Sequence, residues 1–264
     1  LTGLSRPTRG SVRVQGLDPA QDRTRALRRL GALIEAPGVP PYLTGSDLLD
    51  YVARVKGVPS SERQNAARQA AESMGVVGHL GRPFGTLSTG LGRRMLLAAA
   101  LVGDPEILLL DEPTLGLDPA ARHDLREVLR TLSRNGLTLL LSTHLLEDVE
   151  EVCGRVLFLR NGVLVGDERV TPGAAGPEDS TRSLRLRFAS DVTPDSLSQA
   201  AGAAFQFQGD GPRVVTVHFS GADREQAELL ANLVGAGLPL LNASAPEPEL
   251  ARRYMELVGR EERE

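Results

Sequence analysis

The 264-residue sequence has few of the features that mark membrane-spanning, disulfide-bonded or metal-cluster proteins. Its longest apolar run, Met95 to Val102, is far shorter than the ~20 residues of a membrane-spanning helix, and no signal-peptide pattern opens the chain. The single cysteine, Cys153, excludes an internal disulfide and fits a reducing compartment. The four histidines have no metal-ligand spacing. We therefore expect a soluble protein without a structural zinc.

A strong excess of positive charge is also missing. The chain has 30 Lys and Arg residues against 34 Asp and Glu residues, which gives a net charge of −4. Proteins that bind nucleic acid generally present a basic patch to the phosphates. We therefore predict no nucleic-acid partner. Among the basic residues only Lys56 is a lysine.

What the sequence does contain is a regular alternation of strands and helices over residues 1–170. Bare apolar runs at 31–34, 107–110 and 137–142 are typical of parallel strands buried on both faces. Helical periodicity separates them, and it predicts an inserted helical subdomain at about 45–100. The fold class predicted for this part is α/β with a mostly parallel sheet.

Beyond residue 170 the pattern changes. Residues 171–182 are rich in Pro, Gly and Ala and are interpreted as a linker. In residues 183–264, apolar and polar side chains alternate as in antiparallel strands, and helical patterns accompany them. We predict a small C-terminal α+β domain with no evident chemistry.

Paired acids follow the strand at 107–110, in the segment Ile107-Leu-Leu-Leu-Asp-Glu-Pro113. Ligands of open parallel sheets bind beyond the carboxyl ends of the strands. Asp111 is therefore a candidate ligand of Mg²⁺, and Glu112 is a candidate for polarising an attacking water. The alternative is a buried strand that simply ends in an acidic turn.

Two further segments lie near the predicted sheet edge. His144 ends the strand at 137–142, where a neighbouring parallel strand would bring its imidazole beside Glu112. Ser88 and Gly90 precede a predicted helix, whose N-terminal amides favour an anion. Taken alone, His144 could be an ordinary structural histidine, and Ser88 an ordinary helix cap.

Taken in order, these segments resemble the ABC ATPase family over residues 1–169. Leu87-Ser-Thr-Gly-Leu91 is similar to the signature loop, 107–112 to the Walker B strand with its catalytic glutamate, Leu117-Asp118 to the D-loop and His144 to the switch histidine. The resemblance implies a P-loop NTPase-like fold, ATP and Mg²⁺ as cofactors, and Glu112 and His144 as catalytic residues.

The same resemblance implies partners. ATPase subunits of this family form a head-to-tail homodimer or heterodimer, so Ser88, Gly90 and Asp118 would act in trans on the partner's nucleotide. A separate transmembrane permease subunit would convert ATP hydrolysis into transport. The protein is then expected to be cytoplasmic and peripheral on the cytoplasmic face of the membrane.

The sequence departs from the usual family motifs at two places. In the signature loop, Thr89 and Leu91 replace a glycine and a glutamine, while Ser88 and Gly90 are kept. Glu35 stands where a glutamine normally reaches toward Mg²⁺, and we interpret it as a nucleotide-binding and metal residue; the alternative is a surface acid. This glutamate form resembles the drug, antibiotic and lantibiotic export branch, which predicts a role in efflux or self-resistance.

The phosphate loop, Gly-x-x-x-x-Gly-Lys-Ser/Thr, does not occur in the 264 residues. Lys56 follows Ala-Arg-Val and lacks the glycines of that loop. Leu1-Thr-Gly-Leu is interpreted as the last turn of a helix capped by Gly3, so we expect an N-terminally truncated chain that is inactive alone. Two alternatives remain open, a non-catalytic truncated ABC protein and a soluble ABC ATPase outside transport.

Overall fold

The chain forms two compact units, residues Leu1–Cys153 and Gly154–Glu264. The computed structural model describes residues 1–34, 38–172, 182–202, 205–219, 223–245 and 249–258. Within these ranges, no helix combines the length and the apolar character needed to cross a membrane.

A three-stranded parallel sheet forms the centre of the first unit. Its strands are β1 (Leu30–Leu33), β2 (Ile107–Asp111) and β3 (Thr138–Ser142), and β2 lies in the middle. In the pairing register Leu110 lies opposite Leu33 on one side and Leu141 on the other. The predicted parallel sheet is confirmed, and its carboxyl edge carries the residues that follow β2 and β3.

Helices separate the strands of this sheet along the chain, as the apolar periodicity predicts. The chain enters them through polar caps: Thr44 forms a reciprocal capping box with Asp47, and Asp118 accepts a hydrogen bond from Ala121 N. The helices of the first unit are α1 (Arg23–Arg28), α2 (Gly45–Val55), α3 (Arg63–Ser73), α4 (Thr89–Leu101), α5 (Pro119–Arg134) and α6 (Leu146–Val152), with 3₁₀ turns at Val77–His79 and Phe84–Thr86.

The core of this unit lies between β1, β2 and helices α2 to α5. Leu49, Met95, Leu108 and Leu125 are fully buried there. Gly31 lets β1 approach α4 closely, because a Cβ at this position would lie 2.3 Å from the carbonyl oxygen of Ala100. Helix α4 is thus packed directly onto β1.

The second unit begins with an antiparallel hairpin, β4 (Arg155–Arg160) and β5 (Val163–Arg169). Asn161 and Gly162, at its turn, have φ values of 49° and 78°, as a type I′ turn requires. Helix α9 (Glu249–Val258) packs on the hairpin. The Phe158 and Tyr254 rings lie 6.2 Å apart between centroids, and Arg160 donates to the carbonyl oxygen of Leu257.

The remainder of this unit is an antiparallel four-stranded sheet with two helices. The strand order is β7-β8-β6-β9, and the chain order is βαββαβ, which is the ferredoxin-like arrangement. The predicted α+β appendage is therefore confirmed. Its elements are β6 (Arg182–Phe188), α7 (Pro194–Ala201), β7 (Gln206–Gly211), β8 (Val214–Phe219), α8 (Asp223–Gly235) and β9 (Leu240–Ser244).

Several details differ from the sequence-based expectations. Residues 154–170 group with the second unit, because β4 and β5 pair with each other and carry α9. The boundary at 170 thus stays a prediction, and residues 173–181 of the predicted linker lie outside the described residues. Residues 1–4 are not helical, although Gly3 has a φ of 70°. Leu140 is 48% exposed, because β3 lies at an edge of the sheet.

Candidate catalytic site

The carboxyl ends of β2 and β3 meet through Asp111, Glu112 and Ser142. Asp111 pairs with Ser142 in the parallel register, and the Ser142 hydroxyl donates a hydrogen bond to Asp111 Oδ1. The backbone N–H of Glu112 donates to the Ser142 carbonyl oxygen over 3.0 Å. Glu112 has a φ of 44°, in the left-handed region that non-glycine residues rarely adopt. Such conformations are often found at functional sites, where the surrounding structure holds them.

The side chain of Glu112 points toward the residue that follows β3. Its Oε1 lies 2.9 Å from Nδ1 of His144. The two side chains differ in exposure, at 22% for Glu112 and 62% for His144. Glu112 Oε2 is buried and has no hydrogen-bond partner among the described residues. The structure therefore brings the two predicted catalytic residues together, and it leaves Glu112 Oε2 available to accept a hydrogen bond.

The other predicted residues lie where α4 and α5 begin. Ser88 is the N-cap of α4, and its hydroxyl accepts a hydrogen bond from Leu91 N at 3.3 Å. Asp118 is the N-cap of α5, and its carboxylate accepts from Ala121 N at 2.9 Å. A Cβ on Gly90 would lie 3.4 Å from that of Ala121. The signature-like loop and the D-loop-like segment are thus neighbours on one surface.

The fit to Mg²⁺ and ATP is partial. Among the described residues, no group of three or more His, Cys, Asp or Glu side chains is arranged to hold a metal ion. Nucleotide-bound Mg²⁺ usually needs only one or two carboxylates besides phosphates and water. Asp111 is exposed and can supply one of them. Glu35, predicted as the other, lies outside the described residues.

Three residues that support the loops were missed by sequence reasoning. Asp148 on α6 is 2% exposed, and it accepts hydrogen bonds from the hydroxyl groups of Thr114 and Thr143. Thr114 is itself 1% exposed. A buried acid is unusual on an amphipathic helix. Its partners lie 34 and 5 residues away, and no periodic pattern connects them.

Comparison with known proteins identifies the family. The family model described as ABC transporter matches residues 1–115. The uncharacterized ABC transporter ATP-binding protein YdbJ of Bacillus subtilis is 31% identical over 242 residues, which are 90% of this chain and 74% of that protein. The chain belongs to the ABC transporter ATP-binding proteins. The resemblance inferred from the motifs is confirmed.

Two other relatives of this ABC chain differ in how much of it they match. The linearmycin resistance ATP-binding protein LnrL of Bacillus subtilis is 27% identical over 98% of this chain and 84% of that protein. ATP-binding cassette sub-family A member 7 of Mus musculus is 36% identical over 162 residues, or 61% of the ABC chain. The chain spans only 8% of the length of that mouse protein.

Solved structures agree with the fold. The ATP-binding subunit of an ABC transporter superposes with a TM-score of 0.56 at 27% identity, over 64% of this ABC chain and 70% of that chain. The P-loop NTPase-like fold class predicted from the sequence is therefore confirmed.

Proposed function

We propose that the chain is the ATP-hydrolysing subunit of an ABC-type membrane exporter. The observation that carries the ATP-hydrolysing part of this proposal is the 2.9 Å contact between Glu112 Oε1 and His144 Nδ1 at the carboxyl edge of the parallel sheet. Glu112, with its free buried oxygen, accepts the proton of the attacking water, and His144 orients the terminal phosphate. Family membership supports ATP as the nucleotide.

The remaining residues have roles in binding. Asp111 and Glu35 hold Mg²⁺, which when bound neutralises charge on the phosphates. Ser88, Gly90 and Asp118 contact the nucleotide of a second ATPase subunit in a homodimer or heterodimer. The exposure of Ser88 and Asp118, and the nearness of Gly90 to Ala121, support a shared surface for that contact.

Export is proposed from the relatives. LnrL, which matches nearly the whole chain, is described as a linearmycin resistance protein. Nod factor export ATP-binding protein I of Burkholderia thailandensis is 37% identical over 163 residues, which are 61% of this chain and 53% of that protein. We propose a separate transmembrane permease as partner, a peripheral position on the cytoplasmic face of the membrane, and a drug or antibiotic as cargo. Co-purification of a permease with the protein from solubilised membranes tests the partner.

The catalytic proposal is tested on the whole protein that the gene encodes. Glu112→Gln keeps the shape of the side chain but removes the base, so ATP turnover should fall by roughly 100-fold or more while ATP binding is retained. Glu72→Gln, which changes an exposed acid on α3, is the matched control and should hydrolyse ATP normally. Normal turnover by Glu112→Gln would show that the assigned role is wrong.

The 264-residue polypeptide provides a second test. Because it contains no phosphate-loop motif, we propose that it releases no phosphate from ATP on its own. Phosphate release that Glu112→Gln abolishes would contradict this proposal. If the protein neither binds nor hydrolyses ATP, the non-catalytic alternative is favoured.

A further inference from the structure

Asp148 lies at the centre of a buried polar cluster behind the candidate catalytic site. Its Oδ2 accepts hydrogen bonds from Thr114 Oγ1 and, over 3.3 Å, from Thr143 Oγ1. The Asp148 backbone N–H donates to the carbonyl oxygen of Leu145 over 3.1 Å. One carboxylate thus connects the loop after β2, the loop after β3 and the first turn of α6.

The two threonines are close in sequence to the proposed catalytic residues. Thr114 follows Glu112 by two residues, and Thr143 immediately precedes His144. The Thr143 hydroxyl also accepts a hydrogen bond from Leu145 N at 3.0 Å, which fixes the backbone on the other side of His144. A shift of either threonine would therefore move one member of the Glu112–His144 pair relative to the other.

Arg126 offsets part of the negative charge of this cluster. Its side chain is 8% exposed and lies 2.9 Å from Glu151, 3.5 Å from Glu147 and 3.7 Å from Asp148. Asp148 Oδ1 and Arg126 Nε have no hydrogen-bond partner among the described residues, so the contact between them is loose. Buried ion pairs of this kind are weak contributors to stability, whereas they can fix a specific arrangement. The strongest contacts of Asp148 are those to the loops.

We propose that Asp148 is a positioning residue, which holds Glu112 and His144 in contact through Thr114 and Thr143. This inference rests on the proposed function for its effect on turnover, but its structural part does not. Asp148→Ala removes the oxygen that accepts from both hydroxyls, so the two loops are no longer tied to a common point.

The test uses Asp148→Ala, with Thr114→Val as a second variant that removes only one hydroxyl. Asp124→Ala is the matched control, because Asp124 accepts from Arg94 on an exposed helix surface. Thermal unfolding, together with the NMR signals of the other three histidines, checks that each variant is folded. If Asp148→Ala does not fold, Thr114→Val decides.

The first measurement is the ¹⁵N chemical shift of the His144 imidazole in the 264-residue chain at one fixed pH. Glu112→Ala removes the partner of Nδ1 and provides the reference for a broken contact. We expect Asp148→Ala and Thr114→Val to shift the His144 signals toward that reference, while Asp124→Ala leaves them unchanged. If both loop variants keep the wild-type values, the inference is wrong.

The second measurement is ATP turnover by the whole protein. A misplaced catalytic pair should lower kcat by roughly 10- to 100-fold and leave KM for ATP nearly unchanged. Asp148→Glu, which keeps the carboxylate, should recover part of the loss. Unchanged kcat in Asp148→Ala, together with a loss in Glu112→Gln, would refute the positioning role of Asp148 and leave the proposed function standing. Normal kcat in Glu112→Gln would refute the proposed function, and the NMR result would still decide whether Asp148 holds the pair.

Discussion

Replacing Gly31 by alanine should destabilise the first unit, because the added methyl group would collide with the backbone of α4. Gly31 lies in β1 between β2 and α4. A Cβ there would lie 2.3 Å from Ala100 O and 2.8 Å from Leu108 Cδ1. The leucine side chain can rotate, but the carbonyl oxygen belongs to the backbone of α4. Either α4 or β1 must therefore move by about 1 Å, since carbon contacts are favourable only near 3.5 Å.

The expected magnitude follows from two opposing effects. Overpacking a core usually costs about 1–3 kcal/mol, and a collision with backbone belongs near the top of that range. Alanine also lowers the conformational entropy of the unfolded chain, which stabilises the folded state by about 0.4–1 kcal/mol. We therefore expect Gly31→Ala to lower the free energy of unfolding by about 2 kcal/mol. With an m-value of about 2 kcal/mol/M, the urea midpoint of the first unit should fall by about 1 M.

The assay is urea unfolding followed by far-ultraviolet circular dichroism, with the second unit as an internal reference. Gly78→Ala is the matched control, because a Cβ at Gly78 meets nothing within 4 Å and its backbone is not left-handed. The control should unfold at or slightly above the wild-type midpoint. Equal midpoints for the two variants would refute the reasoning from close approach.

Two further predictions concern single ionisable residues. Burial lowers the pKa of Lys56 to about 8, so between pH 8 and 10.5 the unfolded chain binds a proton that the folded chain has released. The free energy of unfolding should therefore rise with pH by at most about 1.4 kcal/mol per pH unit. Urea unfolding of Lys56→Met should lack this rise, and the same pH dependence in both proteins would contradict the prediction. Burial, with a smaller effect from Asp148, raises the pKa of Cys153 to about 11. At pH 8 a disulfide reagent should therefore modify native Cys153 roughly 100-fold more slowly than the urea-unfolded chain, and equal rates would contradict burial.

Most elements of the first unit could be predicted because each has a strong local signal. The apolar runs at 107–110 and 31–34 lie within one residue of the observed bounds of β2 and β1. The proximity of Glu112 and His144 was also predictable, since the carboxyl ends of neighbouring parallel strands meet at one edge. The prediction that β3 is buried on both faces was wrong at Leu140, because β3 lies at an edge of the sheet. The strand order, which decides this, is not encoded in the apolar pattern of one strand.

Other features depend on contacts that a sequence pattern does not encode. The β4–β5 hairpin has a recognisable Asn161-Gly162 turn, but its grouping with α9 depends on tertiary contacts such as Phe158 with Tyr254. The role of Asp148 depends on Thr114, 34 residues away. The sheet order of the second unit likewise follows from pairing between strands distant in sequence.

Lys56 offers a direct way to observe motion between the helical subdomain and the sheet. Its ammonium group donates to the carbonyl oxygens of Leu30 and Ala100, so it ties the end of α2 to β1 and α4. A lysine-specific endoprotease would find one cleavable bond in these 264 residues, after Lys56. Cleavage requires the side chain to leave its carbonyl partners, so the rate of a single cut measures how often this junction opens in the folded protein.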